Sequence, residues 1–324
     1  VKSERRNRSR NVTDLQKRKL GRTGLEVTVV GYGAMELRGA GARSPRPLPE
    51  GDAGRVLNGV LDAGINFIDT SIDYGDSERL IGEAISHRRD EYFLASKAGC
   101  HWDVELPPGA PVGPSPHDFS PGHIREGLER SLRLLRTDHL DLLQLHISPS
   151  LETIRAQGAV ETLQTLRDEG KVRFIGSSST IPNIWDHLDL DVFDAFQIPY
   201  SALEREHEAA ITEASERDAG VIVRGGVAKG GPRPDRPRFR NVWEAWEAAE
   251  LEELLEEGQS RVEFVLRFTL GHPGLSTIIV GTASVDHLRD DVATALQGPL
   301  PDDVYREAKQ RLDAAGASPV GRRP

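Results

Sequence analysis

The feature that most limits what this chain can fold into is a long alternation of short apolar runs with amphipathic stretches. Reading from residue 66, the pattern predicts strands over 66–69, 92–97, 139–145, 172–175, 192–198, 221–223 and 277–280. Helices are predicted between and after them, over 77–85, 121–135, 151–168, near 184, over 206–217, within 242–269, over 285–295 and over 302–314. A further helix is read over 53–63, with Val56, Val60 and Leu61 on one face. The signal is periodicity: Ile124, Leu128, Leu132 and Leu135 fall on one helical stripe, and Ala159, Leu163 and Leu166 on another. Ser120 and Pro121 mark a helix start, and Gly170 a helix stop.

Counting a glycine-terminated strand at 27–30 as the first, the chain contains eight β-then-α units. Such alternation implies parallel strands with helical crossovers. Eight units suit a closed (β/α)8 barrel, a TIM barrel. The rival is an open doubly wound sheet, which normally carries a G-x-G-x-x-G turn after its first strand. Gly31-Tyr32-Gly33 lacks the third glycine and leads into no immediate helix, so the barrel is preferred.

Before the barrel, Arg22-Thr23-Gly24 reads as the tip of an N-terminal β-hairpin. Residues 1–14 read as a disordered basic leader without the apolar core of a signal peptide, residues 15–316 as the barrel, and 317–324 as a tail. No run of about 18 apolar residues predicts a membrane span. A net charge of -10 argues against bulk nucleic-acid binding. The single cysteine, Cys100, allows no internal disulfide, and paired Cys/His ligands at short spacing are absent, so no structural metal is expected. A cytoplasmic location is the default. Two long loops, 99–119 and 225–240, both follow strands and so fall on the C-terminal face, where barrel enzymes keep their sites.

Three strand ends carry ionisable groups: Asp69, Lys97 and His146, with Tyr74 just beyond the first. Each alone has an ordinary explanation: a helix-capping acid, a solvated lysine, a core histidine, a turn aromatic. In a barrel, however, consecutive strands are neighbours, so all four fall on one face. Together they suit a general acid working on a carbonyl oxygen. An ammonium beside the phenol favours phenolate, a carboxylate holds the ammonium, and a histidine orients the oxygen. None of them carries hydride, so a redox cofactor is required.

The stretch DTSIDYGDSERLIGEAI, with SK at the third strand and DHLDLLQLH at the fourth, resembles the signature elements of the aldo-keto reductases. The likeness runs from KLGRTGLEV to GTASVDHL, nearly the whole domain. It implies a (β/α)8 barrel, a nicotinamide cofactor, and Asp69, Tyr74, Lys97 and His146 as the catalytic tetrad, with Tyr74 the proton donor. It places Gly33, Ala34 and Met35 by the nicotinamide ribose, and Ser178, Ser179 and Gln197 on the carboxamide. Arg224 stands where many members stack an aromatic ring, followed by Gly225, Gly226 and Val227 in place of a more usual Ser-Pro-Leu. Gly281, Thr282 and Ser284 precede a helix N-terminus suited to a phosphate. Ala283 offers no charge there, which leaves His287 as the basic candidate for NADP, and Asp291 stands where an asparagine usually meets adenine. NADP is favoured on family grounds, with NAD possible. Trp102 and Phe119 are candidate substrate-pocket walls, while Trp243 and Trp246 read as packing. The expected activity is NAD(P)H-dependent reduction of an aldehyde or ketone, or oxidation of the alcohol. An NADP-binding regulatory subunit with little turnover, or a barrel hydrolase using Asp69, would be the alternatives.

Overall fold

The computed structural model describes residues 15–39, 51–102, 116–228 and 240–322. The basic leader, the proline-dense stretch 45–49 and the middles of both long loops lie outside these residues. Two short antiparallel strands, β1 (Lys17–Lys19) and β2 (Glu26–Thr28), form a hairpin. Eight parallel strands then close a barrel: β3 (Val30–Gly33), β4 (Phe67–Asp69), β5 (Phe93–Ala98), β6 (Leu140–Leu145), β7 (Val172–Ser178), β8 (Ala195–Pro199), β9 (Gly220–Arg224) and β10 (Thr277–Val280), with β10 pairing back onto β3.

Around the barrel lie α1 (Asp52–Asp62), α2 (Ser77–Ile85), α3 (Pro121–Leu135), α4 (Leu151–Gln157), α5 (Ala159–Asp168), α6 (Ile184–Asp189), α7 (Glu208–Glu216), α8 (Arg240–Ala248), α9 (Arg261–Leu270), α10 (Val285–Leu296) and α11 (Asp302–Ala314). Their apolar stripes face inward: Ile124, Leu128, Leu132 and Leu135 of α3 are all buried, as are Ala159, Leu163 and Leu166 of α5. Trp243 and Trp246 are buried against each other and against Phe264. Among the described residues no helix is long and apolar enough to cross a membrane.

Two of the predicted elements are divided where the sequence reading had one. The run 27–30 is not one strand. Val27 and Thr28 finish the hairpin, while Val30 opens the barrel. The chain turns between them because Thr28 folds its hydroxyl onto the Val30 carbonyl and takes the Asn66 side chain on its own N–H. The expected helix over 151–168 is two helices, because Gly158 adopts a left-handed φ of 64° and ends α4.

The strand period of two builds the barrel interior in layers. Phe67, Ala95, Leu142, Ala195 and Ile222 form an apolar cluster with Leu20, Leu25 and Val27 of the hairpin segment, which plugs the N-terminal end. A fully buried leucine such as Leu20 contributes about 1.5–3 kcal/mol relative to exposure. Two residues further along the same strands come Asp69, Lys97, Gln144, Gln197 and Arg224. The polar layer is therefore the next turn of the same alternation, set at the C-terminal end above an apolar floor.

The outer face of β5 holds one more acid. Glu78 of α2 is buried and accepts a hydrogen bond from Ser96 at 2.7 Å. Burial pushes its carboxyl up from 4.5 to about 7. The folded state therefore holds this proton more tightly than the unfolded chain, so stability falls as pH rises from about 4.5 to about 7. The span is worth on the order of 3 kcal/mol. Melting the protein and its Glu78→Gln variant between pH 5 and pH 8 should show a flatter pH dependence in the variant. Parallel curves would contradict the assignment.

Candidate active site

Lys97 and Asp69 form the centre of the polar layer. Lys97 Nζ lies 2.6 Å from Asp69 Oδ2 and donates to the Thr70 carbonyl at 2.8 Å, with both side chains almost wholly buried. Burial works to lower the lysine, but Asp69 and then Tyr74 outweigh it and leave Lys97 above its usual range. The second carboxylate oxygen, Oδ1, accepts from Gln144 at 3.0 Å and from Gln197 at 2.8 Å. Gln197 in turn accepts from Ser178 at 3.3 Å. Gly176 of β7 makes room for Gln144, since a Cβ there would stand 3.2 Å from the glutamine Cγ and 2.7 Å from the Ala195 carbonyl.

Tyr74 sits above this pair, with Lys97 Nζ 5.4 Å from its ring centroid. The loop that carries it is pinned at both ends: Tyr74 N–H donates to Ser71 O, and Ser77 N–H to Tyr74 O. Gly75 takes a φ of +51°, and a Cβ there would stand 2.3 Å from the Arg38 carbonyl, so the turn admits glycine alone without strain. Ser77 ties the same loop to the end of β3 through the Ala34 carbonyl. Burial pushes the Tyr74 phenol up to about 12; Lys97 pulls the other way, and Asp69 and Asp73 add to the rise. The ammonium does favour phenolate, in the direction read from the residues, but desolvation outweighs it and the resting phenol keeps its proton.

His146 follows β6, its N–H bonded to the Ala98 carbonyl. Its ring stands edge-on to Tyr74, centroids 6.2 Å apart. Nδ1 lies 2.8 Å from Cys100 Sγ and 3.8 Å from Asp73 Oδ1. Burial and then Asp73 push the Cys100 thiol well above its usual range. Ile147 and Ser148, next in the chain, both take left-handed φ angles, and a β-branched residue does so only when its surroundings compel it.

The three strand-end residues and Tyr74 therefore converge. Their neighbours Gln144, Cys100 and His117, the last with its ring 5.7 Å from that of His146, carry no signal in the linear pattern.

A profile of the aldo/keto reductase family matches residues 29–313. This chain belongs to the aldo-keto reductase family. It is 30% identical over 319 residues to an uncharacterised oxidoreductase, YqkF, of Bacillus subtilis (strain 168), covering 90% of this chain and 99% of that one. It is 28% identical over 305 residues to an L-galactose dehydrogenase of Arabidopsis thaliana, covering 88% and 90%. The solved holo form of an aldo-keto reductase from Bacillus halodurans superposes with a TM-score of 0.78 at 29% identity, over 92% of this chain and 96% of that one. This aldo-keto reductase is an oxidoreductase, and its family works with nicotinamide cofactors.

The remaining positions sort themselves around the rim of the reductase barrel. Arg224 ends β9 half-buried; its Nε is buried with no hydrogen-bond partner among the described residues, and burial lowers the guanidinium despite Tyr74 and Glu204 nearby. Gly281 lies against the Gly33 carbonyl, where a Cβ would stand 3.3 Å away, and Met35 is exposed. Tyr32, fully buried, donates its hydroxyl to the Thr282 carbonyl at 2.7 Å and so fixes the turn before α10. Ser284 caps α10 by accepting from the His287 N–H. His287 is exposed, and so is Arg289, a guanidinium the sequence reading passed over; it pairs with Asp286 at 3.0 Å. Burial and then Asp290 push Asp291 up to about 7.

Three expectations are placed differently. Ser179 turns away from Ser178: its hydroxyl bonds His187 Nδ1 at 2.5 Å and Ser177 at 2.7 Å behind the sheet. Strand parity explains this, because neighbours point to opposite faces. Phe119 packs on Gly99, which has no side chain to displace it. Trp102 stacks on His123 at 4.6 Å and rests against Gly127 of α3. Both aromatics therefore pack against neighbouring residues at the two described ends of the third loop.

Proposed function

We propose that this chain is an NAD(P)H-dependent oxidoreductase that reduces an aldehyde or ketone to the alcohol, or runs the reverse reaction, with Tyr74 as general acid. The observation that carries the reading is the convergence of Tyr74, Lys97, Asp69 and His146 at one end of the barrel. A phenol raised to about 12 keeps its proton at neutral pH. It yields that proton when negative charge builds on a carbonyl oxygen beside it. The ammonium of Lys97 then stabilises the phenolate, and Asp69 holds the ammonium charged and in place. His146 orients the oxygen. A bound nicotinamide would supply the hydride. The name of the L-galactose dehydrogenase relative favours sugars among the carbonyl and alcohol substrates, and we place the protein in the cytoplasm.

The residues present fit such a cofactor. Gln144 Oε1 and Arg224 Nε are buried polar atoms with no partner among the described residues, both in the polar layer at the C-terminal end of the barrel. Ser178 and Gln197 would hold the carboxamide. Arg224, a planar cation, would face the ring, with Gly225 next in the chain. Gly33, Ala34 and Met35 would border the ribose. Gly281, Thr282 and Ser284 at the start of α10 would face phosphate. His287 and Arg289 are the cations for a 2′-phosphate, which favours NADPH. Ser179 is left out of the set.

Titration with NADPH and NADH, followed by protein fluorescence, should show tighter NADPH binding. As Asp291 ionises through about pH 7, its carboxylate opposes an anionic ligand and withdraws a donor from adenine. Affinity should therefore weaken from pH 6 to pH 8, and Asp291→Asn should remove most of that change. Tighter NADH binding would reverse the cofactor preference. Binding of neither would remove the cofactor from this reading.

A further inference from the structure

Cys100, His117 and His146 form a compact donor set at the edge of the proposed reaction centre. One ligand atom of each lies within 4.8 Å of the other two. Cys100 Sγ is 2.8 Å from His146 Nδ1, and the His117 and His146 rings meet edge-on with centroids 5.7 Å apart. The backbone holds this arrangement. Cys100 and His117, at opposite ends of the third βα loop, pair as an antiparallel bridge. His146 comes from the end of the next strand, its N–H on the Ala98 carbonyl. Three ligands thus rest on backbone pairing, which limits how far they can separate.

A thiolate is a soft donor and an imidazole a borderline one. They suit zinc-type cations and not Mg2+ or Ca2+, which take oxygen. Zinc bonds of about 2.3 Å to sulfur and about 2.0–2.1 Å to nitrogen put tetrahedral ligand atoms about 3.3–3.6 Å apart. The Cys100–His146 pair needs to open by less than about 1 Å to admit such an ion. Asp73 Oδ1, 3.8 Å from His146 Nδ1, is near enough to hold a water on the fourth position.

We propose that Cys100, His117 and His146 bind a thiophilic divalent cation of the zinc type, and that filling this site stops turnover by holding His146 on the metal. The thiol proton is released to solvent on binding. The inhibitory half rests on the catalytic reading above; the binding half does not.

The test uses the full-length, metal-free protein and Co2+ as a spectroscopic probe. Cys100 is the sole cysteine, so any thiolate-to-cobalt charge-transfer band reports this site. One equivalent of Co2+ should raise the band, Zn2+ should displace it, Cys100→Ser should abolish it, and His117→Ala should weaken binding at least tenfold. In turnover assays one equivalent of Zn2+ should silence the wild type reversibly, with recovery on chelation. His117→Ala should resist the metal, read as the ratio of its own rates with and without Zn2+. No band, or a band that His117→Ala leaves intact, would overturn the site. Full activity with the site filled would overturn the inhibition. The cobalt titration reads without turnover, so it decides the site even if no carbonyl substrate is ever found.

Discussion

Replacing Tyr74 with phenylalanine should lower kcat by about 100- to 10,000-fold, the range that general acid catalysis supplies. Affinity for the nicotinamide cofactor should stay within about twofold, because a hydroxyl and not the ring is lost. The ring keeps its place: the loop is held by Ser71, Ser77 and the Arg38 carbonyl, none of which touches the phenol oxygen. The expected signature is therefore a fall in kcat with intact binding. Near-normal turnover would mean that the proton comes from another group. A matching loss of cofactor binding would mean that the loop had moved.

The second large effect is on stability as well as rate. Lys97 and Asp69 are buried with one ion-pair contact of 2.6 Å between them. Lys97→Met leaves a buried carboxylate facing only the amides of Gln144 and Gln197. Breaking one partner of such a pair costs about 3–5 kcal/mol, much of it the penalty of the charge left behind. Adding Asp69→Asn to that variant removes the charge while keeping an oxygen for both amides. The double variant should therefore be more stable than Lys97→Met alone, although equally inactive. Denaturant unfolding of both single variants and the double variant measures the coupling. Additivity within about 0.5 kcal/mol would show that the pair does not act as a unit.

How much of this was legible in the chain follows from where the information resides. Asp69, Lys97 and His146 stand out because each ends an apolar run, and neighbouring strands bring their ends together by topology alone. Gln144 obeys the same period of two from Leu142, but an amide inside LDLLQLH carries no distinguishing motif. Parity separates Ser179 from Ser178: Ser178 faces the barrel interior, so its neighbour faces His187. The Val27–Val30 run hid a turn that depends on the Asn66 side chain, 38 positions away. The meeting of Cys100 with His117 depends on the return path of a loop, which no periodicity encodes. The rise of the Tyr74 phenol is not encoded in the spacing of ionisable residues, because it comes chiefly from burial and not from a neighbouring charge.

The central claim, that this barrel moves hydride between a nicotinamide and a carbonyl, is tested most directly by tracing the hydride itself. The protein would be incubated with reduced cofactor deuterated at the transferable position and a panel of aldehydes, ketones and sugars, with deuterium followed into the alcohol by mass spectrometry. The account predicts one deuterium on the former carbonyl carbon in the wild type and almost none with Tyr74→Phe. No label in any alcohol, together with no labelled cofactor when candidate deuterated alcohols are supplied in the reverse direction, would contradict it.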